Sequence, residues 1–246
     1  MEHAALQNIV DLGPYFSINK AVIWMWVAAF LAFITIYMAG KKEMVPGRYQ
    51  SFVELLLTLI RQKMVLDTMG HAGLPYFPLI ASLFFFVFFC NIVGVFPLGP
   101  LGHTATSDIN VTATLAVLVL VIVVVTGVRK KGIYGYFVKG FIPHGVPWYV
   151  IPLIYPVEII SLLAKHFALA VRLFANMLAG HQVLLVFTGG AVALFAKGIG
   201  WKLLGVLPFL GVVGMLLFEI FVALIQSFIF AILTSLYIGD SLREHH

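Results

Sequence analysis

Three observations predict an all-α polytopic membrane protein. Of 246 residues, 62% are hydrophobic and only 10% are charged. Mean hydropathy is +1.06. The apolar residues also fall in runs long enough to cross a bilayer as helices, a balance that no soluble domain shows. The pattern divides into five membrane-crossing helices and one interfacial amphipathic helix within a single transmembrane domain, 1–246. The last two crossings form a long, strongly tilted hairpin.

The opening stretch, MEHAALQNIVDLGPYFSINK, lacks the basic start, short apolar core and small-residue site of a cleaved secretory signal. The first span is expected at about 21–40, with Trp24, Trp26 and Tyr37 suited to the interfacial belts. An amphipathic helix follows at about 47–69. Phe52, Val53, Leu55, Leu56 and Leu59 fall near one of its faces, with Glu54, Arg61 and Lys63 elsewhere. The second span, about 75–97, ends in SLFFFVFFCNIVGVFP, whose phenylalanine-rich run 84–89 is expected to be lipid-facing packing. The third, about 109–128, is rich in valine, yet its length in lipid demands a helix, because lone strands leave backbone groups unpaired there. The fourth and fifth lie at about 153–196 and 203–239.

Charge sets the orientation. Lys41, Lys42, Arg48, Arg61 and Lys63 make one loop basic, and Arg129, Lys130, Lys131 and Lys139 another, whereas LGPLGHTATSDIN between them has no Lys or Arg. The positive-inside rule then puts the N-terminus outside and, after five crossings, SLREHH in the cytoplasm. Lys197 and Lys202 fall on the outer side against this trend. The basic excess therefore reports topology, and no nucleic-acid partner is expected. The single cysteine, Cys90, excludes an intrachain disulfide.

Arg172 stands in HFALAVRLFANMLAGHQVLLVFTGGAVALFA, with no other charge between Lys165 and Lys197. Arginine does not lose its proton in proteins, and its placement mid-membrane costs from about 3 to above 10 kcal/mol. A fixed cation is therefore expected to serve a purpose there. At about 100° per residue, Glu158, Ser161, Lys165, Arg172 and Asn176 share one face, interleaved with Ala168, Ala175 and Ala179. Small residues let another helix approach closely, so this face looks built for a second chain to slide against. Residues 166–196 and 203–239 would measure roughly 46 and 55 Å as helices, far beyond a core of about 30 Å. Strong tilt or a break is required, with Gly189–Gly190, Gly211 and Gly214 as possible bends and a turn near Lys197–Trp201.

His181 lies on the side opposite Arg172. Glu219, the one charge of the fifth span, lies within about 20° of Gln226. His181 and Glu219 can meet in the hairpin as a proton relay or the lining of a hydrated cavity. Each residue also has a plainer role: snorkelling for Arg172, a structural hydrogen bond for Glu219, packing for His181, interhelical bonding for Asn176 and Gln226. Glu158 can be a polar helix start. Asn91 and Asp108 can be interfacial, or Asp108 can line an outer vestibule. No phosphate loop, metal cluster or nucleophile triad is seen, and His245–His246 are too isolated for a metal site. No cofactor is expected, and the chain alone should hydrolyse nothing.

SLLAKHFALAVRLFANMLAGH and FEIFVALIQSFIFAILTSLYI, supported by SDINVTATLA and FCNIVGVFP, resemble subunit a of the F-type ATP synthase. The resemblance implies a non-catalytic stator of a rotary motor, facing a ring of subunit c, with stalk subunit b and the rest of the ATP synthase complex as partners. It implies that Arg172 is the essential arginine met by each ring carboxylate. Asn176, His181, Glu219, Gln226 and Glu158 fall on positions associated with two aqueous half-channels, Ser161 shares the arginine face, and Asn91 and Asp108 match motifs near the outer side. Some family members carry the acid and imidazole exchanged. A bacterial inner membrane is implied, with H⁺ or Na⁺ as the ion and ring size left open. The alternative is a self-contained secondary transporter with Arg172 as ligand for an anionic substrate, but such folds carry duplicated halves and no repeat is seen here.

Overall fold

The computed structural model describes residues 8–11, 17–40, 47–95, 104–139, 149–197 and 199–242. The basic residues Lys41 and Lys42, the last two positions of the second span and the C-terminal histidines lie outside them. Helices dominate. They are α1 (Lys20–Ala39), α2 (Arg48–Leu59), α3 (Phe77–Val95), α4 (Ile109–Tyr134), α5 (Ile151–Ala196) and α6 (Ile199–Leu242). Five helical stretches are long and apolar enough to span a membrane, as the hydropathy runs predict. The valine-rich segment is indeed helical.

Two features depart from the sequence-based expectation at the edges of the spans. Ahead of α1, Asn8–Asp11 (β1) and Ser17–Asn19 (β2) pair as a small antiparallel ribbon. Four- and three-residue strands are too short for any periodicity to announce them. The third span, expected to end near 128, continues through its basic residues to Gly132, whose φ of 74° breaks the helix. Hydropathy falls at the lysines, but helix propensity does not, since Lys and Arg are good helix formers. Only the glycine's left-handed backbone ends the run. Tyr136 then folds back so that its ring covers Gly127.

The amphipathic segment is more than a helix lying on an interface. After α2 the chain passes through π-helical turns at Ile60–Leu66, a short α-helical stretch Asp67–Met69, and 3-10 turns Gly70–Tyr76 that lead into α3. Phe52, Leu55 and Leu59 face outward, while Val53, Ile60, Met64 and Val65 are buried. The predicted single apolar face is thus divided, because π turns rotate the later residues inward relative to a 3.6-residue repeat.

The chain forms two compact units. The first comprises 1–32, 85–111 and 172–227; the second comprises 33–84, 112–171 and 228–246. In the first, Ala28, Cys90 and Ala105 form a small core with Trp24, Met25, Phe86 and Phe89 around it. Also in the first, Phe187 of α5 rests on Gly211 of α6, Phe195 rests on Gly205, and Gly190 meets Pro208. Those pairs define an antiparallel hairpin whose contacting residues sum to about 400. It turns at Lys197, whose ammonium lies 5.4 Å from the Trp201 ring, so the turn falls where expected.

At 46 and 44 residues, α5 and α6 measure about 69 and 66 Å. The glycines named as possible bends keep helical backbone: among the described residues only Gly70 and Gly132 have positive φ. Glycine relaxes a helix but does not break it while the backbone bonds hold. Gly205 and Gly211 instead make room for aromatic rings.

In the second unit, His166 of α5 packs on Tyr237 of α6, with ring centres 5.1 Å apart. The π-helical segment is tied to α6 there too. Thr68 and Ser235 hydroxyls lie 2.5 Å apart, Ser235 also donates to the Met64 carbonyl, and Gly239 lets the Thr68 backbone come close.

Candidate functional site

The arginine face of α5 is bare. Arg172, Ala175, Asn176 and Ala179 are exposed in the first unit, and Lys165 and Ala168 are exposed in the second. Among the described residues Arg172 has no hydrogen-bond or ion-pair partner; the ion pair found there, Lys63–Asp67, is on another segment. Only 11% of the most apolar window of α5 is buried, against 44% for the span of α4. The residues α5 does bury, His166, Leu169, Ala170, Leu173, Met177, Leu184 and Ala191, recur every three, four or seven positions as one narrow seam. A long apolar helix packed on one seam leaves the rest of its surface for lipid or another chain.

On α6 the buried polar residues are Glu219, Gln226, Ser227, Thr234, Ser235 and Ser241. Asn176 donates its amide N–H to Oε1 of Gln226 at 2.9 Å, so the hairpin joins two of the sequence-predicted residues directly. Such interhelical bonds in membranes contribute about 0.6 kcal/mol on average. The Gln226 Nε2 group is buried with no partner. An unpaired buried amide costs about 1–3 kcal/mol, and water is the ordinary remedy where a polar lining gives it two or more partners. An amide pair with one idle end is therefore suited to a hydrated passage.

The Glu219 carboxyl lies against Gly180 of α5: a Cβ at that glycine would sit 2.6 Å from its Oε1. The absence of a side chain at 180 makes the space. His181 is the next residue and is half-buried. The acid is thus carried to the helical turn that holds the imidazole, though no hydrogen bond joins the two among the described residues.

The remaining residues are dispersed. Asn91 is fully buried, and its Oδ1 accepts the Thr106 hydroxyl at 2.7 Å. Asp108 accepts the Asn110 backbone N–H at 2.9 Å and so caps the start of α4. Both have structural work to do. Glu158 and Ser161 are half-buried on the first turns of α5, in the second unit. One buried ionisable residue was not singled out from the sequence: His166, 3% exposed. Its spacing of seven to Leu173 and fourteen to Gly180 places it on the packed seam, about 120° round α5 from Arg172. Among the described residues no group of three or more His, Cys, Asp or Glu is arranged to hold a metal.

Comparison with known proteins agrees with this architecture. The family model described as ATP synthase A chain matches residues 22–239. A protein named ATP synthase subunit a from Azorhizobium caulinodans is 41% identical over 229 residues, covering 93% of this chain and 89% of the relative. The protein of that name from Rhizobium johnstonii is 41% identical over 242 residues, covering 97% and 94%. That from Rhodospirillum rubrum is 37% identical over 249 residues, covering 100% and 98%.

Proposed function

The chain belongs to the ATP synthase A chain family, and on that premise we propose that it is the proton-translocating stator of an F-type ATP synthase. It is a non-catalytic subunit in the bacterial inner membrane, with its N-terminus outside and C-terminus in the cytoplasm. Its partners are the ring of subunit c and the stalk subunit b. The observation that carries this is the exposed Arg172, without a partner among the described residues, on an alanine-lined face of a long helix that holds no other charge between Lys165 and its end.

A proton enters from outside past Glu219, His181, Asn176 and Gln226 and neutralises a ring carboxylate. A neutral acid can turn through lipid, where an ionised one is too costly. After nearly a full turn it meets the second half-channel, on the side of Ser161 and Glu158, and loses its proton to the cytoplasm. Arg172 favours the ionised acid as it arrives, because a cation stabilises a neighbouring anion. The same fixed charge repels a proton that would leak straight from one half-channel to the other. Each charge crossing 100 mV contributes about 2.3 kcal/mol, so several protons together drive synthesis in the soluble head. Sodium in place of the proton is a matter for the ring carboxylate's own surroundings.

Arg172→Ala, assembled in the complete complex and reconstituted in vesicles, is expected to abolish ATP-driven proton pumping. Normal coupled pumping by that variant would overturn the assignment.

A further inference from the structure

Three buried side-chain nitrogens among the described residues have no hydrogen-bond partner: Nδ2 of Asn91, Nε2 of Gln226 and Nε2 of His166. Only the third belongs to a group that binds and releases a proton near neutral pH. The Nδ1 atom of His166 lies 2.8 Å from the Leu162 carbonyl oxygen one turn back. A carbonyl only accepts, so Nδ1 carries the hydrogen and Nε2 of the neutral ring presents a bare lone pair. That lone pair is held in a buried place, beside the tilted ring of Tyr237.

The seam around it is polar on the α6 side. Counted at 100° per residue, Tyr237, Thr234 and Ser241 fall within about 60° of the Glu219 line. The Thr234 hydroxyl donates to Phe230 and the Ser241 hydroxyl to Ile238, both to backbone carbonyls, so each hydroxyl oxygen keeps lone pairs for water. The α5 side of the seam is otherwise leucine, alanine and methionine, and His166 is the one ionisable residue on it. Its orphaned acceptor is unfavourable while it stays dry, and a proton or a water would satisfy it.

We propose that His166 is a proton-exchanging station on the cytoplasmic side of the path, in the seam between α5 and α6. This rests on the function and topology proposed above, in which α5 starts in the cytoplasm and His166 precedes Arg172 in it by six residues. The step moves only a proton. The ring carboxylic acid gives H⁺ through intervening water to Nε2, leaving a carboxylate and an imidazolium; the imidazolium then gives H⁺ to water on the cytoplasmic side, and no electron is transferred.

Two other titratable groups stand near the imidazole: Tyr237 from α6, and Lys165 beside it on α5, whose charge reaches the ring. On the segment that meets α6 at Ser235, Lys63 and Asp67 are exposed and paired with each other at 3.4 Å. Neither is thus committed to His166.

Two substitutions isolate the proton-accepting nitrogen. His166→Asn keeps a donor for the Leu162 carbonyl and deletes Nε2; His166→Gln keeps a polar group near Nε2 that does not titrate. Each is assembled in the complete complex, assembly is scored by the co-purified ATPase head, and ATP-driven proton flux is followed from pH 6 to 8. The expected result is about a tenfold lower flux in assembled complex, a flattened pH profile, and partial restoration by free imidazole. Flux and pH profile unchanged from the parent in either assembled variant overturn the proposal, as does a loss that imidazole leaves untouched. If Arg172→Ala is inactive while His166→Asn behaves as the parent, only the station is refuted; normal pumping by Arg172→Ala refutes the functional assignment beneath it.

Discussion

Gly180 matters for what it lacks. The Glu219 carboxyl fills the space that a side chain at 180 would take, 2.6 Å from its Oε1, and the carboxyl is the mobile end of a flexible side chain. Gly180→Ala is therefore expected to fold and assemble but to push the acid away from the turn that carries His181. Proton flux in reconstituted vesicles should fall about tenfold, equivalent to about 1.4 kcal/mol in the barrier, with amounts of assembled complex unchanged. Flux equal to the parent would show that the carboxyl has no work at that position. Glu219, Gln226 and Arg172 were legible as isolated polar residues in apolar runs. Their pairing was not, because helical periodicity gives the face of each residue but not the register between two helices. The Asn176–Gln226 bond needed the hairpin itself. His166 was passed over for the opposite reason: it sits among residues that bury easily, and nothing in its neighbours marks its nitrogen as unpartnered.

Among the glycine contacts of the described residues, that between α3 and the turn before α4 is the tightest. A Cβ at Gly94 would overlap Thr104, whose Cα would lie 2.5 Å away. Backbone cannot step aside as a side-chain tip does, so Gly94→Val must part the two segments. Overpacking of this kind costs about 1–3 kcal/mol, and the measurement is a lower midpoint for heat-induced loss of the purified complex. An unchanged midpoint would mean the junction is loose. The spans themselves were readable because long apolar runs have no other stable form in lipid. Their ends were not. Gly132 stops α4 by its backbone conformation, and Ile60–Leu66 adopts π turns that no apolar repeat encodes.

For the whole molecule, the five crossings proposed above would put the two termini on opposite sides of the membrane. In a Cys90→Ser background, a cysteine placed at Asp240 should react with an impermeant thiol reagent only from the cytoplasmic face, and one at Asn8 only from the other. Reaction of both from one face would remove a crossing and reverse the assignment of the half-channels. The number of apolar spans follows from hydropathy, whereas the division into two compact units has no counterpart in the pattern: packing between distant segments leaves no periodic trace.

The aromatic–glycine pairs of the hairpin have a mechanical corollary. Phe187 occupies the notch at Gly211 and Phe195 that at Gly205. One helical turn nearer the start of α6 the places are taken by Leu207 and by Trp201. A creep of about 5.4 Å in that direction would drive each ring into a large side chain. The rings thus act as detents that hold the register of α5 against α6.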